Sequence, residues 1–233
     1  MPPSTPSHAL EKQLGIRFSQ PELLQTALIH RSFLNENAEV SEHNERLEFL
    51  GDAVLELVTT DFLFHKLPDM PEGKLTSLRA ALVRKENLAK TARQIGLGQY
   101  MILSRGEEQT GGRENSYLLA NTLEALIGAI YLDQGLTAAQ AVIEKTILGS
   151  LTEILEKNLH RDAKSFLQEM AQEKYQLTPN YQIESESGPD HSKIFVAGVF
   201  FGHKKKGQGA GNSKRSAELK AAEDALSNLG WKR

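Results

Sequence analysis

The chain has 233 residues, 39% hydrophobic and 24% charged, with no cysteine and a formal net charge of −3; this is the composition of an ordinary globular protein holding one large domain or two small ones. The missing cysteines exclude disulfides, thiolate nucleophiles and Cys-ligated zinc or iron–sulfur centres, and the seven His residues show no HExxH or paired-ligand spacing, so carboxylates are the metal ligands to look for. The longest apolar run, Ala125 to Leu132, falls far short of the roughly 20 residues of a membrane span, and the first residues lack the apolar core of a secretory signal, so no membrane partner and a cytoplasmic location are expected.

Residues 1–9 read as a flexible N-terminus. From residue 10 to residue 152, apolar positions recur at three- and four-residue spacing with few β-branched alternations, the pattern of an all-α domain. Pro21 opens one helix, Asn44 is placed to cap the next, and Pro71 starts a third; Thr76 to Gly96 reads as uninterrupted helix. Gly106 to Glu114 reads as a loop by its glycines, and Ser116 to Gly135 as a buried helix, apolar nearly all round. Residues 153–160 form a charged linker. In residues 161–230 the pattern changes: an amphipathic helix over Asp162 to Tyr175, strand-like alternation over Asn180 to Ser187 and Ile194 to Phe201, a Lys/Gly-rich turn over Gly202 to Gly211, and a helix over Ser213 to Leu229. That is a small α+β module.

Charge separates the two parts. Residues 1–155 carry 14 Lys and Arg against 20 Asp and Glu, a net −6, whereas residues 156–233 carry 13 against 10, a net +3. Within the second part Lys204, Lys205, Lys206, Lys214, Arg215 and Lys220 form a basic patch suited to a polyanion, although the run Lys204 to Lys206 by itself is equally a solvated turn.

The acidic part carries the chemistry. Glu45, Glu48 and Asp52 stand at i, i+3 and i+7, within about 60° of one another on a helix. Like charges on one stripe repel unless a cation balances them, though a solvated helix face is the bland alternative. Asn121 and Glu124 share one face of the buried helix, and a buried carboxylate must be protonated, paired or metal-bound. Together these five residues offer an oxygen-only donor set of the kind Mg²⁺ takes. A di-iron bundle would need Glu-x-x-His, which neither segment supplies.

ERLEFLGDAVLELV (Glu45 to Val58), ANTLEALIGAIYLDQG (Ala120 to Gly135) and ALIHRS (Ala27 to Ser32) resemble segments of the ribonuclease III family. GPDHSK (Gly188 to Lys193) and GNSKRSAELKAAEDAL (Gly211 to Leu226) resemble the first-strand loop and last helix of a double-stranded RNA-binding domain. The resemblance implies an all-α endonuclease domain followed by an α-β-β-β-α RNA-binding domain. It implies a homodimeric, Mg²⁺-dependent hydrolase, with Mn²⁺ as a substitute, that cuts double-stranded RNA such as rRNA precursors and leaves 5′-phosphate and 3′-hydroxyl ends. On that likeness Glu48, Asp52, Asn121 and Glu124 are the metal ligands, with Asp52 and Glu124 catalytic. Glu45 lies nearer the RNA, Gln168 and His191 probe the minor groove, Lys214 and Arg215 meet phosphates, and Phe49 plugs into the partner subunit. Asn121 departs from the family's usual Asp, removing one negative charge, so a weak or inactive RNA-binding homologue is the alternative.

Other positions have plainer readings. Glu56 reads as a surface or ion-paired acid, His30 and His43 as hydrogen-bonded structural groups, and Gly51 as a point of close packing against the second acidic helix. Arg113 and Glu114 are candidates to approach RNA from the loop before that helix.

Overall fold

The computed structural model describes residues 7–156, 158, 163–189 and 192–231. Most of the N-terminal segment expected from sequence lies outside the described residues, as do residues 157, 159 and 160 of the expected linker and His191; residues 153–156 of that linker are helical instead, because Ile154 is buried. Chain contacts divide the molecule into two compact units, residues 1–154 and 155–233.

The first unit is helical: α1 (Ser7–Leu14), α2 (Pro21–Leu28), α3 (Glu45–Lys66), α4 (Glu72–Val83), α5 (Lys85–Gln94), α6 (Arg105–Gln109), α7 (Ser116–Thr146) and α8 (Leu151–Glu156). Helix α7 is the axis, with α2, α3 and α5 packed around it and α4 on α3. Its residues Leu118 to Ile130 are all buried, which is why it is apolar on every side. By length and composition α7 together with α8 would pass for a membrane span, which the short apolar run in the sequence did not suggest; here its apolar surface is the core of the unit.

Three sequence expectations are corrected. Thr76 to Gly96 is not one helix, because Arg84 is extended (φ −62°, ψ 148°) and ends α4 one residue before α5 begins. Arg84 breaks no propensity rule; the turn lets α5 pack on α7, a tertiary gain that local pattern does not register. Gly106 to Glu114 is partly helical, since the Ser104 side chain accepts from the Glu107 N–H at 3.1 Å and caps α6. Asn44 precedes α3 but makes no side-chain cap; it is buried, and its backbone N–H donates to the Ile29 carbonyl at 2.9 Å.

The second unit runs α9 (Ala163–Tyr175), β1 (Asn180–Ser187), β2 (Ile194–Phe201), β3 (Lys204–Gly211) and α10 (Lys214–Asn228), with the three strands antiparallel in the order β1-β2-β3. The segment read as a Lys/Gly turn is therefore mostly strand. Its alternate glycines lie beneath α10: a Cβ on Gly207 would stand 2.4 Å from the Ala221 carbonyl oxygen, and one on Gly209 would stand 2.3 Å from the Ala221 nitrogen. Small residues on both surfaces (Ala217, Ala221, Ala222 and Ala225 on the helix) let α10 lie almost on the strand backbone, with Phe166, Leu167, Val199 and Leu226 completing the core. Ser213 caps α10 as expected, accepting from the Ser216 N–H at 3.1 Å.

Candidate active site

The acidic face of α3 meets α7 at a seam of two glycines. A Cβ on Gly51 would fall 1.8 Å from the Glu124 carbonyl oxygen, and one on Gly128 would fall 2.2 Å from the Leu47 carbonyl oxygen. The close packing expected of Gly51 is thus reciprocal, and it draws the main chains of the two acidic segments together.

Beside this seam lies an open cleft of about 560 Å³, lined by His30, Arg31, Asn44, Glu45, Glu48, Phe49, Asp52, Lys85, Tyr117, Leu118, Asn121 and Glu124. Glu45, Glu48, Asp52, Asn121 and Glu124, the five residues proposed from sequence as the oxygen donor set, all line it. Glu45 and Asp52 are exposed, Glu48 is half-buried, and Asn121 and Glu124 at the floor are each 8% exposed.

The electrostatics follow from that gradient. Glu124 is pushed up to about 7, by burial first and then by the charges of Asp52 and Glu48, with Lys85 pulling the other way. Glu48 is also raised, by burial first; Lys85 and the Asn121 amide oppose the shift, whereas Glu45 and Asp52 add to it. His30 is lowered by burial in spite of Glu107 and Glu45. Its Nδ1 accepts from the Ser32 N–H at 3.3 Å and lies 2.9 Å from the Ser32 Oγ, in keeping with a structural role.

These residues fit a divalent ion. Asn121 Oδ1 is buried without a hydrogen-bond partner, an acceptor that needs a cation or a water. Among the described residues no three His, Asp or Glu groups are drawn close enough to cage an ion alone. Carboxylates that repel across a shared cleft stand apart, and a Mg²⁺ site is completed by amide oxygen, water and substrate oxygen rather than by a dedicated cage of acids.

Elsewhere the sequence reading divides. Glu56 pairs with Arg79 at 2.9 Å, and Glu45 pairs with Arg31 at 3.2 Å at the cleft mouth. His43 stands 3.9 Å from Glu45. Arg113 is a strap: its guanidinium donates to the carbonyls of Gly98 and Met101 at 2.8 and 2.9 Å and pairs with Glu108 at 2.6 Å. Phe49 is 81% exposed despite its apolar ring and borders a second groove with Leu23, Leu47, Leu50 and Leu132. In the second unit Gln168, Lys214 and Arg215 are exposed on α9 and α10. Sequence reasoning missed Arg31, Lys85 and Tyr117 as cleft residues; none belongs to an acidic segment, and only the fold brings them there.

A helical unit with an acidic cleft, followed in the chain by an α-β-β-β-α module, defines the class of two-module ribonucleases. Residues 20–151 match the family model described as ribonuclease-III-like, and residues 163–229 match the double-stranded RNA binding motif. The chain is 46% identical to Ribonuclease 3 of Protochlamydia amoebophila, over 95% of this chain and 91% of that protein. It is also 46% identical to Ribonuclease 3 of Syntrophobacter fumaroxidans, over 97% and 96%. A crystal structure of the nuclease domain of ribonuclease III from Campylobacter jejuni superposes with a TM-score of 0.57 at 42% identity, covering 64% of this chain and 97% of that one. A second structure of that domain, described for flexibility in its region involved in dimer formation, gives 0.57 at 44%, covering 60% and 95%. The chain belongs to the ribonuclease III family.

Proposed function

We propose that the chain is a Mg²⁺-dependent endonuclease that hydrolyses phosphodiester bonds of double-stranded RNA, rRNA precursors among its substrates, and leaves 5′-phosphate and 3′-hydroxyl ends. The observation that carries this reading is the meeting of Glu48, Asp52, Asn121 and Glu124 in one cleft around a buried, unpartnered amide oxygen. These four residues would hold the ion, with Mn²⁺ able to replace it. When bound, the ion supplies charge to the phosphate and acidifies a coordinated water.

The chain's own residues do the rest. Asp52 and Glu124, held on adjacent helices by the glycine seam, would orient the attacking water and accept its hydrogen bonds, while Glu45 lies at the mouth nearer the strand. Gln168, His191, Lys214 and Arg215 recognise duplex RNA by shape and backbone, since the deep A-form groove hides its base edges. Phe49, an exposed aromatic beside an apolar groove, supports a homodimer in which each copy takes the other's ring. A cytoplasmic location is proposed with it.

Asn121 favours one rival, a duplex-RNA-binding homologue whose site holds metal too weakly to cut. A Mg²⁺ titration of cleavage of a long RNA duplex separates the two. The enzyme reading expects cleavage by the wild type and none by Glu124→Gln, which still binds. Intact RNA at saturating Mg²⁺ rejects it, and cleavage gained only by Asn121→Asp identifies the binding homologue.

A further inference from the structure

Lys85 opens α5 directly after the extended Arg84, and its Nζ stands 3.6 Å from the centroid of the Tyr117 ring at the start of α7. Both side chains line the acidic cleft. The other Lys or Arg lining the cleft, Arg31, is paired with Glu45 at 3.2 Å, and farther out Arg79 pairs with Glu56 at 2.9 Å, Lys90 with Glu153 at 2.7 Å and Arg93 with Glu114 at 3.7 Å. Among the described residues Lys85 has no carboxylate within ion-pair distance, although its charge is felt by Glu48 and Glu124. A ring face can hold an ammonium in place without neutralising it. The cleft therefore has, at its exposed rim, one anchored cation that its own acids do not use.

A phosphodiester entering this cleft meets the charges of Glu45, Glu48, Asp52 and Glu124. A compact ammonium is a suitable point charge for a phosphate oxygen. Resting on the duplex-RNA reading above, we propose that Lys85 binds a backbone phosphate of the RNA strand lying in the cleft and that Tyr117 is the positioning residue that holds it there. Its place at the rim, out of ion-pair reach of the acids, favours the substrate over service as a stand-in for the metal.

The test measures affinity for a long RNA duplex across a salt series with Mg²⁺ present, in the full chain carrying Glu124→Gln so that the RNA stays intact. Adding Lys85→Met should weaken binding about five- to tenfold near 0.1 M salt and reduce the slope of log K against log salt by about one for each nuclease site engaged. Lys85→Arg and Tyr117→Phe should keep the slope, because charge and ring face survive, whereas Tyr117→Ala should lose part of it. Calorimetric Mg²⁺ binding without RNA should be little changed by Lys85→Met in the otherwise wild-type chain. An unchanged slope overturns the phosphate role while cleavage by the wild type leaves the nuclease reading intact; so does tighter Mg²⁺ binding with an unchanged slope, which would make Lys85 the metal's stand-in. A wild type that neither binds nor cuts duplex RNA removes both.

Discussion

At the scale of single residues, Glu124 couples the site to pH. Its ordinary value of 4.5 rises to about 7 in the fold, so the folded state favours the neutral acid. For the metal-free protein this group leaves stability untouched below about pH 4.5, erodes it as pH climbs toward 7, and has no further effect above; the span is of the order of 3 kcal/mol. Urea unfolding in EDTA at pH 5 and pH 8 should show that loss, and Glu124→Gln should shrink it. Metal affinity should move oppositely, strengthening from pH 6 to pH 8 as the carboxyl ionises, a trend that calorimetry can check. Gly51 is a sharper probe still. A methyl there would overlap the Glu124 carbonyl, so Gly51→Ala should lose roughly 3 kcal/mol of stability or the folded nuclease unit altogether, read by denaturation. The acids and Gly51 were legible in the sequence because like charges on one stripe and a glycine inside a helix each demand a reason. Lys85 and Tyr117 were not, because each is unremarkable in its own helix and becomes a site residue only where α5 crosses the start of α7.

At the scale of elements, errors in the sequence reading fell where packing overrides local pattern. Helix propensity continues through Arg84, yet the chain turns there because α5 buries Leu88, Ala89 and Ala92. The run from Lys204 to Gly211 looks like a turn by its glycines, and those same glycines make it a strand that a helix can approach. Gly207→Ala should therefore lift α10 from β3, with loss of duplex-RNA affinity measured by gel shift or anisotropy and with the far-ultraviolet signal of the second unit reduced. Arg113 shows a role that local pattern does not register, since a loop cation ties down the carbonyls of Gly98 and Met101. Its replacement by Ala should lower stability by about 2 kcal/mol, read by urea denaturation, through carbonyls left unsatisfied.

At the scale of the whole molecule, the exposed ring of Phe49 is the clearest handle. Phe49→Asp would set a charge against the apolar groove of a second copy and should leave a monomer in sedimentation at micromolar concentration; a dimer that persists would place the interface elsewhere. The opposite net charges of the two parts, −6 and +3, were readable before any fold was known, and they explain how a chain of negative net charge carries an RNA-binding module.

The order of the helices has its own consequence during synthesis. The most apolar helix, α7, leaves the ribosome only after α2, α3 and α5, the elements that cover it, have already been made. A segment that greasy would attract chaperones, membranes or other nascent chains if it emerged first. Placed after them, it can pack as it emerges, and the order of translation itself shortens the time it spends uncovered.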